Sequence, residues 1–502
     1  MSSIWHFLSG EVPGGFMALI VLLIALYLVL EYVYRSGQLM PRATYRRVRR
    51  IGTLVIIMGY ALIWIQSPPK TEPLRIAVIS AGKADQSDWR SGAIADLTGR
   101  RLEKTLGKAI VNPWNGAVDE YAQPSAEILQ RAKYHVYQVR FEERRENKPA
   151  ELQVAKPGSV GHTFTIAKTE LGIISEEVSK WILADLGKNA EPAKPFHSTF
   201  QSGVIDAYYQ GLHYFKVEQT DSARIRFNDA LTVDSTFTPA EIGLALCLER
   251  AGDPKRAALE LLSAVKADTG SLEAMLSLGE FHLRHMEWDL AEPPLKVVLT
   301  RDPLAVRAYL GLASLHSERL LDLRLNTPDA LLEEAIRLDP AFEPARVALA
   351  SRLINIGLAQ KARPILREGL KINPESVNLL LKIGAVELYS GNTGDAREAY
   401  QKIIELDPEN AIAAFNLGVV AYRTKQYEEA LQHFANSLEW GGSIDSYYYL
   451  GLIYRTRGDS ARAGVNFKKR WELRKSEDDV FALKAKEYAR AIGLRIEEQV
   501  DR

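Results

Sequence analysis

Ala411-Ile-Ala-Ala-Phe-Asn-Leu417-Gly418, followed by Tyr427-Glu-Glu-Ala430 and then Phe434, decides the architecture. The same Leu-Gly pair returns as Leu278-Gly279 and Leu450-Gly451, each followed twelve positions later by a small residue, Ala291 or Ala463. A period of about 34 residues is that of a helical hairpin, which cannot bury its apolar face without a neighbour and therefore stacks into a solenoid. The small residues stand where two helices must cross closely, and the bulky ones fill the space beside them.

Working outward from this window, Gly384, Ala396 and Tyr400 mark the unit before, and Gly451, Ala463 and Phe467 the unit after. Earlier units are marked by Ala362, by Gly279 and Ala291, by Gly252, Ala257 and Ala264, and by Gly211, Ala223, Phe227 and Ala230. Arg301-Asp-Pro, Leu338-Asp-Pro, Ile372-Asn-Pro and Leu406-Asp-Pro each end a helix where proline cannot continue it. One unit, between Pro303 and Pro340, is about three residues too long, with Asn326-Thr-Pro328 in its middle. The reading is eight units over residues 204–477 and a capping helix in 478–502. This pattern resembles the tetratricopeptide repeat (TPR) family. The resemblance implies a right-handed superhelix whose first helices line a concave, protein-binding groove.

At the other end, Phe16 to Leu30 is an uninterrupted run of 15 apolar residues, and Ile51 to Ile65 is a second apolar run. Together they read as a transmembrane hairpin in residues 1–66, with spans at about 14–34 and 50–67. The intervening loop, 35–49, carries Arg35, Arg42, Arg46, Arg47 and Arg49 and no acid, and Arg50 follows it. Positive charge stays on the cytoplasmic side, so both ends are expected outside. In a bacterium this makes a two-pass inner-membrane protein with its bulk in the periplasm.

Gln66-Ser-Pro-Pro-Lys-Thr-Glu-Pro73 is a stiff linker, and residues 74–188 then change pattern. Leu74 to Ile79 and Ala109 to Val111 read as strands, separated by a helix from Ala93 to Leu106. A helix from Ser125 to Ala132 precedes a three-strand meander in which Tyr137, Val139 and Phe141, then Phe164 and Ile166, alternate with polar residues. Ile174, Val178, Trp181 and Ile182 share one face of a closing helix. This is a small α/β domain. Through Arg75-Ile-Ala-Val78, Ala132-Lys-Tyr-His-Val-Tyr-Gln-Val139 and Ser175-Glu-Glu-Val-Ser-Lys-Trp181 it resembles the amino-terminal domain of TolB and the FlgO-like domains. The fold class expected is therefore mainly α, a TPR solenoid preceded by a TolB-like α/β domain and a membrane hairpin.

Lys+Arg and Asp+Glu both number 63, so no global field points to nucleic acid. The lone Cys247 lies between leucines and reads as a buried thiol. There is no phosphate-binding glycine loop, HExxH, GxSxG or CxxC, so neither an enzyme nor a cofactor is expected. His282 and His285 stand three apart on one helix and His316 recurs one repeat on, a spacing compatible with a metal, but a fourth ligand is lacking and they read more simply as packing or surface residues. Glu176-Glu177, Glu333-Glu334 and Glu428-Glu429 read as solvated helix faces.

What remains is binding. By analogy with the family, the groove face carries Tyr208, Arg250, Arg284, Asn355, Tyr389, Phe415, Tyr422, Arg423, Tyr448 and Arg455. Aromatics and arginines are the usual anchors of interfaces, although some of these rings could equally pack between units. The function expected is a membrane-anchored periplasmic scaffold that assembles or stabilises an envelope complex. Its partners would be periplasmic and integral membrane proteins, with the bilayer engaged through two helices. The competing reading is an extracytoplasmic sensor that signals through the hairpin and its arginine loop.

Overall fold

A computed structural model describes residues 73–81, 89–107, 109–111, 124–142, 150–159, 161–166, 171–194, 202–315 and 327–494. The expected membrane hairpin, its arginine loop, His316 and the insertion at Asn326 lie outside the described residues. Among the described residues no helix is long and apolar enough to cross a membrane.

The amino-terminal part is a five-stranded sheet in the order β2-β1-β3-β4-β5. β1 (Leu74–Ser80) lies at its heart, parallel to β2 (Ala109–Val111) on one side and to β3 (His135–Glu142) on the other. β4 (Ala150–Ala155) and β5 (His162–Ile166) extend it antiparallel, with Val139 opposite Val154 and Leu152 opposite Phe164. Parallel neighbours need a crossover. The helix α1 (Trp89–Leu106) and the short α2 (Ala126–Arg131) provide it, and α3 (Leu171–Asp185) closes the domain on α1. Ile76, Val78, Tyr137 and Val139 form one core with Ile94, Leu97 and Leu102 of α1 and with Val178 and Ile182 of α3.

Among the described residues eight helical hairpins follow. They pair Ser202–Lys216 with Thr220–Val233 (α4, α5), Thr238–Arg250 with Pro254–Ala267 (α6, α7), Leu272–Arg284 with Trp288–Arg301 (α8, α9), and Val306–Ala313 with Pro328–Leu338 (α10, α11). The series continues with Glu343–Asn355 and Ala359–Ile372 (α12, α13), Val377–Tyr389 and Thr393–Leu406 (α14, α15), Ala411–Arg423 and Tyr427–Glu439 (α16, α17), and Ser446–Thr456 and Ser460–Glu472 (α18, α19). A single helix, α20 (Val480–Ala491), ends the array.

The glycines of the repeat have a steric cause. A Cβ at Gly418 would lie 2.7 Å from the Phe434 ring, and at Gly384 2.6 Å from Tyr400. Helix-helix approach that close is open only to glycine. The same contact sets Gly279 on Leu295 at 2.6 Å. Between the two helices of a unit the chain passes through a left-handed residue, Gly391 (φ 84°) in one unit and Lys425 (φ 61°) in the next, which closes the first helix.

First helices of successive units pack on one another (α4 on α6, α6 on α8, α8 on α10, α12 on α14, α16 on α18) more closely than second helices of successive units do. Such a wedge curves the array with its first helices on the inner side.

The α/β domain is docked on this array. The face of β1 opposite its own core carries Arg75, 4 % exposed, whose guanidinium donates to the carbonyls of Leu338 at 2.8 Å and Arg337 at 2.9 Å. A cation at the carboxyl end of α11 meets the negative pole of that helix. Beside it the Tyr134 hydroxyl faces the carboxyl of Asp339. On α1, Arg100 bonds Asp96 at 2.9 Å and Glu273 through both nitrogens, at 2.6 and 3.2 Å, while Tyr209 donates to Asp96 at 2.7 Å. Arg131 reaches the carbonyl of Ile372. Apart from Tyr209, which lies within α4, the array residues of these contacts fall where one unit closes and the next opens.

Two outcomes follow. Gly418→Ala forces a methyl into Phe434 and is expected to cost about 2 kcal/mol in denaturant unfolding, the range of overpacked cores. Asp339 is 1 % exposed, and burial pushes its carboxyl up to about 6 against the favourable pull of Tyr134, backbone N–H groups and Arg75. That is above the unfolded value of about 3.9, so this group stabilises the fold as pH falls from 7 through 6, and the gain is lost as pH rises again. D339N is expected to remove a component on the order of 1 kcal/mol from the stability difference between pH 5 and pH 7 in paired melts.

Candidate partner-binding surface

The ten residues expected on the groove face sit in three environments. Tyr208 is 3 % exposed and packs on Tyr209, Phe227 and Phe237, and Tyr448 is buried against Phe467 and Phe481. Both are interior residues, because a phenol at those positions fills the seam between units; they correct the expectation of a surface role. Phe415 is half-buried against Phe434 and Tyr449.

The arginines at the carboxyl ends of first helices form a ladder, each reaching back one unit. Arg250 donates to the carbonyl of Phe215 at 3.0 Å and lies 3.8 Å over its ring. Arg284 grips Glu249 through two bonds of 2.9 and 2.8 Å, and His285 shares that carboxylate at 3.1 Å. Arg423 donates to the carbonyl of Leu388 at 2.6 Å. Their first task is to staple units together. Asn355 and Tyr389 are open to solvent, Tyr389 at 72 %. Tyr422 and Arg455 are half-buried: Tyr422 packs on Tyr427 and Tyr449, and Arg455 lies 4.1 Å over the Tyr488 ring.

The histidine cluster takes other partners. His282 is buried with Nδ1 2.6 Å from Glu287, and among the described residues no three His, Cys, Asp or Glu side chains converge on one point. Four of the paired glutamates face cations: Glu176 with Lys180, Glu334 with Arg337, Glu428 with Arg457, and Glu429 with Arg397. Cys247 is buried.

Two functional groups of residues were missed in the sequence. One is the docking set of Arg75, Asp96, Arg100, Tyr134, Tyr209, Glu273 and Asp339 described above. A charged Arg75 inside an otherwise apolar strand was the available signal. The other closes the array. Arg470, 3 % exposed, bonds Asp445 at 2.8 Å and Asp479 at 2.7 and 2.9 Å, while Asp479 caps α20 by accepting from the Ala482 N–H at 3.1 Å. Earlier units place alanine at this point (Ala230, Ala264), so the departure from the repeat was the clue. Arg470→Met strands two partly buried carboxylates; it is expected to cost about 3 kcal/mol and to raise amide exchange in α20 before the rest of the array.

Residues 243–306 and 381–439 match the tetratricopeptide repeat family. Among curated proteins, the anaphase-promoting complex subunit 3 of Schizosaccharomyces pombe is 26 % identical over 103 residues, 20 % of this chain and 16 % of its own length. The CTR9 homolog of Arabidopsis thaliana is 28 % identical over 213 residues, 41 % of this chain and 19 % of its own. The peroxisomal targeting signal receptor of Candida albicans is 24 % identical over 250 residues, 42 % of each. The chain thus spans less than half the length of these relatives. Of solved structures, the Cut9-Hcn1 hetero-tetramer of the anaphase-promoting complex aligns at a TM-score of 0.42 and 14 % identity, over 64 % of this chain and 63 % of that one. Pseudomonas aeruginosa pilF aligns at 0.33 and 17 %, over 51 % and 98 %. Residues 243–306 and 381–439 thus carry tetratricopeptide repeats, and tetratricopeptide repeat proteins mediate protein–protein interactions and scaffolding.

Proposed function

We propose that this chain is a non-catalytic scaffold, anchored in a bacterial inner membrane by residues 14–34 and 50–67, which binds partner proteins from the periplasmic side during assembly or stabilisation of an envelope complex. The observation that carries the reading is the inner face of the array, where first helices lie side by side over eight units and end in an aromatic, arginine-bearing surface. The membrane placement rests on the two apolar runs and the arginines between them. The α/β domain is read as TolB-like on its sheet order and the three motifs quoted above. Its docking by Arg75 and Arg100 gives it a bracing role, holding several units at one spacing. A non-catalytic role is supported by the engagement of Asp339, Glu273, Glu387 and His282 in packing and ion pairs.

Crosslinking in native membranes followed by affinity capture of the full chain is expected to recover one or a few proteins in stoichiometric amount. Recovery of none sinks the scaffold reading. Protease accessibility of residues 202–494 from the periplasmic side in spheroplasts is expected; protection there removes the topology.

A further inference from the structure

Across the last two units and the terminal helix the rings form an unbroken chain of contacts. Tyr422 meets Tyr449 at 5.4 Å, Tyr449 meets Tyr448 at 5.5 Å, and Tyr448 meets Phe481 at 5.2 Å and Tyr488 at 6.2 Å. Tyr448 is buried beneath, while Tyr422, Tyr449, Phe481 and Tyr488 each keep part of their surface open to solvent. The result is a floor of rings shared by α16, α18 and α20.

Two guanidiniums border this floor. Arg455 lies 4.1 Å over the Tyr488 ring, and Arg423, at the exposed end of the helix that carries Tyr422, donates to the Leu388 carbonyl and is within electrostatic reach of Tyr449. Among the described residues neither has a carboxylate within ion-pair distance. The acid that does lie near, Asp445, is held by Arg470 at 2.8 Å. Unit three differs, since its Arg284 is matched by Glu249. At the carboxyl-terminal end of the array two guanidiniums thus stand beside an aromatic floor with a ring or a carbonyl, and no carboxylate, as partner.

We propose that this surface binds an extended segment of a protein partner in which carboxylates are interspersed with apolar residues. The apolar side chains lie on the rings, and the carboxylates take charge-assisted hydrogen bonds from Arg423 and Arg455. Three helices about 10 Å apart span about 20 Å, which an extended strand covers with about six residues. The inference rests on the scaffold reading above and narrows it to one surface and one partner chemistry.

The test is selection of phage-displayed random 12-residue peptides on the purified full chain. Enriched peptides are expected to carry Asp or Glu spaced among Leu, Phe, Pro or Val. A synthetic peptide from that set is expected to bind R455Q or R423Q at least tenfold more weakly than the unmodified chain, and R284Q with unchanged affinity, all compared at a temperature where each variant is fully folded by circular dichroism. Failure to enrich acidic residues, or equal affinity for R455Q, R423Q and parent, overturns the proposal. If R455Q alone lowers the melting temperature, R423Q decides. The two readings separate cleanly. Membrane partners still captured by a chain that selects no acidic peptide would leave the scaffold standing without this surface, whereas loss of both would remove the scaffold as well.

Discussion

The contact of a glycine with the bulky residue of a neighbouring helix governs the rest of this molecule. Phe227 is pressed by Gly211 of its own unit and by Gly243 of the next, and Leu295 likewise lies between Gly279 and Gly311. One side chain on a second helix thus fixes two distances at once, the crossing within a hairpin and the step to the following hairpin. Gly384, Gly418 and Gly451 make the crossing contact within their own units, on Tyr400, Phe434 and Phe467, so these hairpins repeat at a nearly constant step, and the first helices come together on the inner side. Stability then passes from neighbour to neighbour along one dimension, and an end without a neighbour needs separate closure. At the carboxyl end that closure is ionic: Arg470 ties α19 to the first turns of α18 and α20 through Asp445 and Asp479.

A constant step has a second consequence. The turns that close each unit fall in a row, and each ends in helix carbonyls that lack intrahelical partners. Arg75, Arg100 and Arg131 of the α/β domain engage this row: Arg75 and Arg131 through carbonyls, Arg100 through the carboxylate of Glu273. Since Arg75 stands on a strand whose other face is already in the core of its own domain, β1 is buried on both sides. Removing the array would strip Arg75 of both carbonyls it bonds and Tyr134 of the Asp339 carboxyl, so the sheet and the solenoid share these contacts rather than being joined by a linker alone.

Much of this was legible in the sequence, because periodic constraints leave periodic residues. Leu417-Gly418 with Phe434 announces the crossing, and the Asp-Pro and Asn-Pro closings announce the helix ends. The alternation of Tyr137, Val139 and Phe141 announces a half-buried strand. What could not be read is how two such patterns meet. Asp339 in Leu338-Asp-Pro looks like any other closing residue, yet it is the one buried under Tyr134. Tyr208 has the composition of an interface anchor, and its burial follows from the rings it meets in its own unit, Tyr209 and Phe227, and one unit on, Phe237. Arg250, Arg284 and Arg423 looked equivalent because their period is common. Their partners differ by unit (a ring and carbonyl, a carboxylate, a carbonyl alone), and those partners are set by neighbouring residues with no period of their own.

This loss of equivalence is what converts a repetitive scaffold into a specific one. A solenoid of identical units offers the same chemistry at every step and cannot tell one end of a partner from the other. Here the amino-terminal units spend their charges on one another and on the docked α/β domain: Arg284 on Glu249, Arg307 on Glu280, Arg100 on Glu273. In the carboxyl-terminal units the first helices instead carry Phe415, Tyr448 and Tyr449, whose rings meet across units, and among the described residues Arg423 and Arg455 there have no carboxylate within ion-pair distance. Polarity along the array therefore comes from departures superimposed on a conserved step, since the glycine contacts that hold the step do not touch the residues that vary.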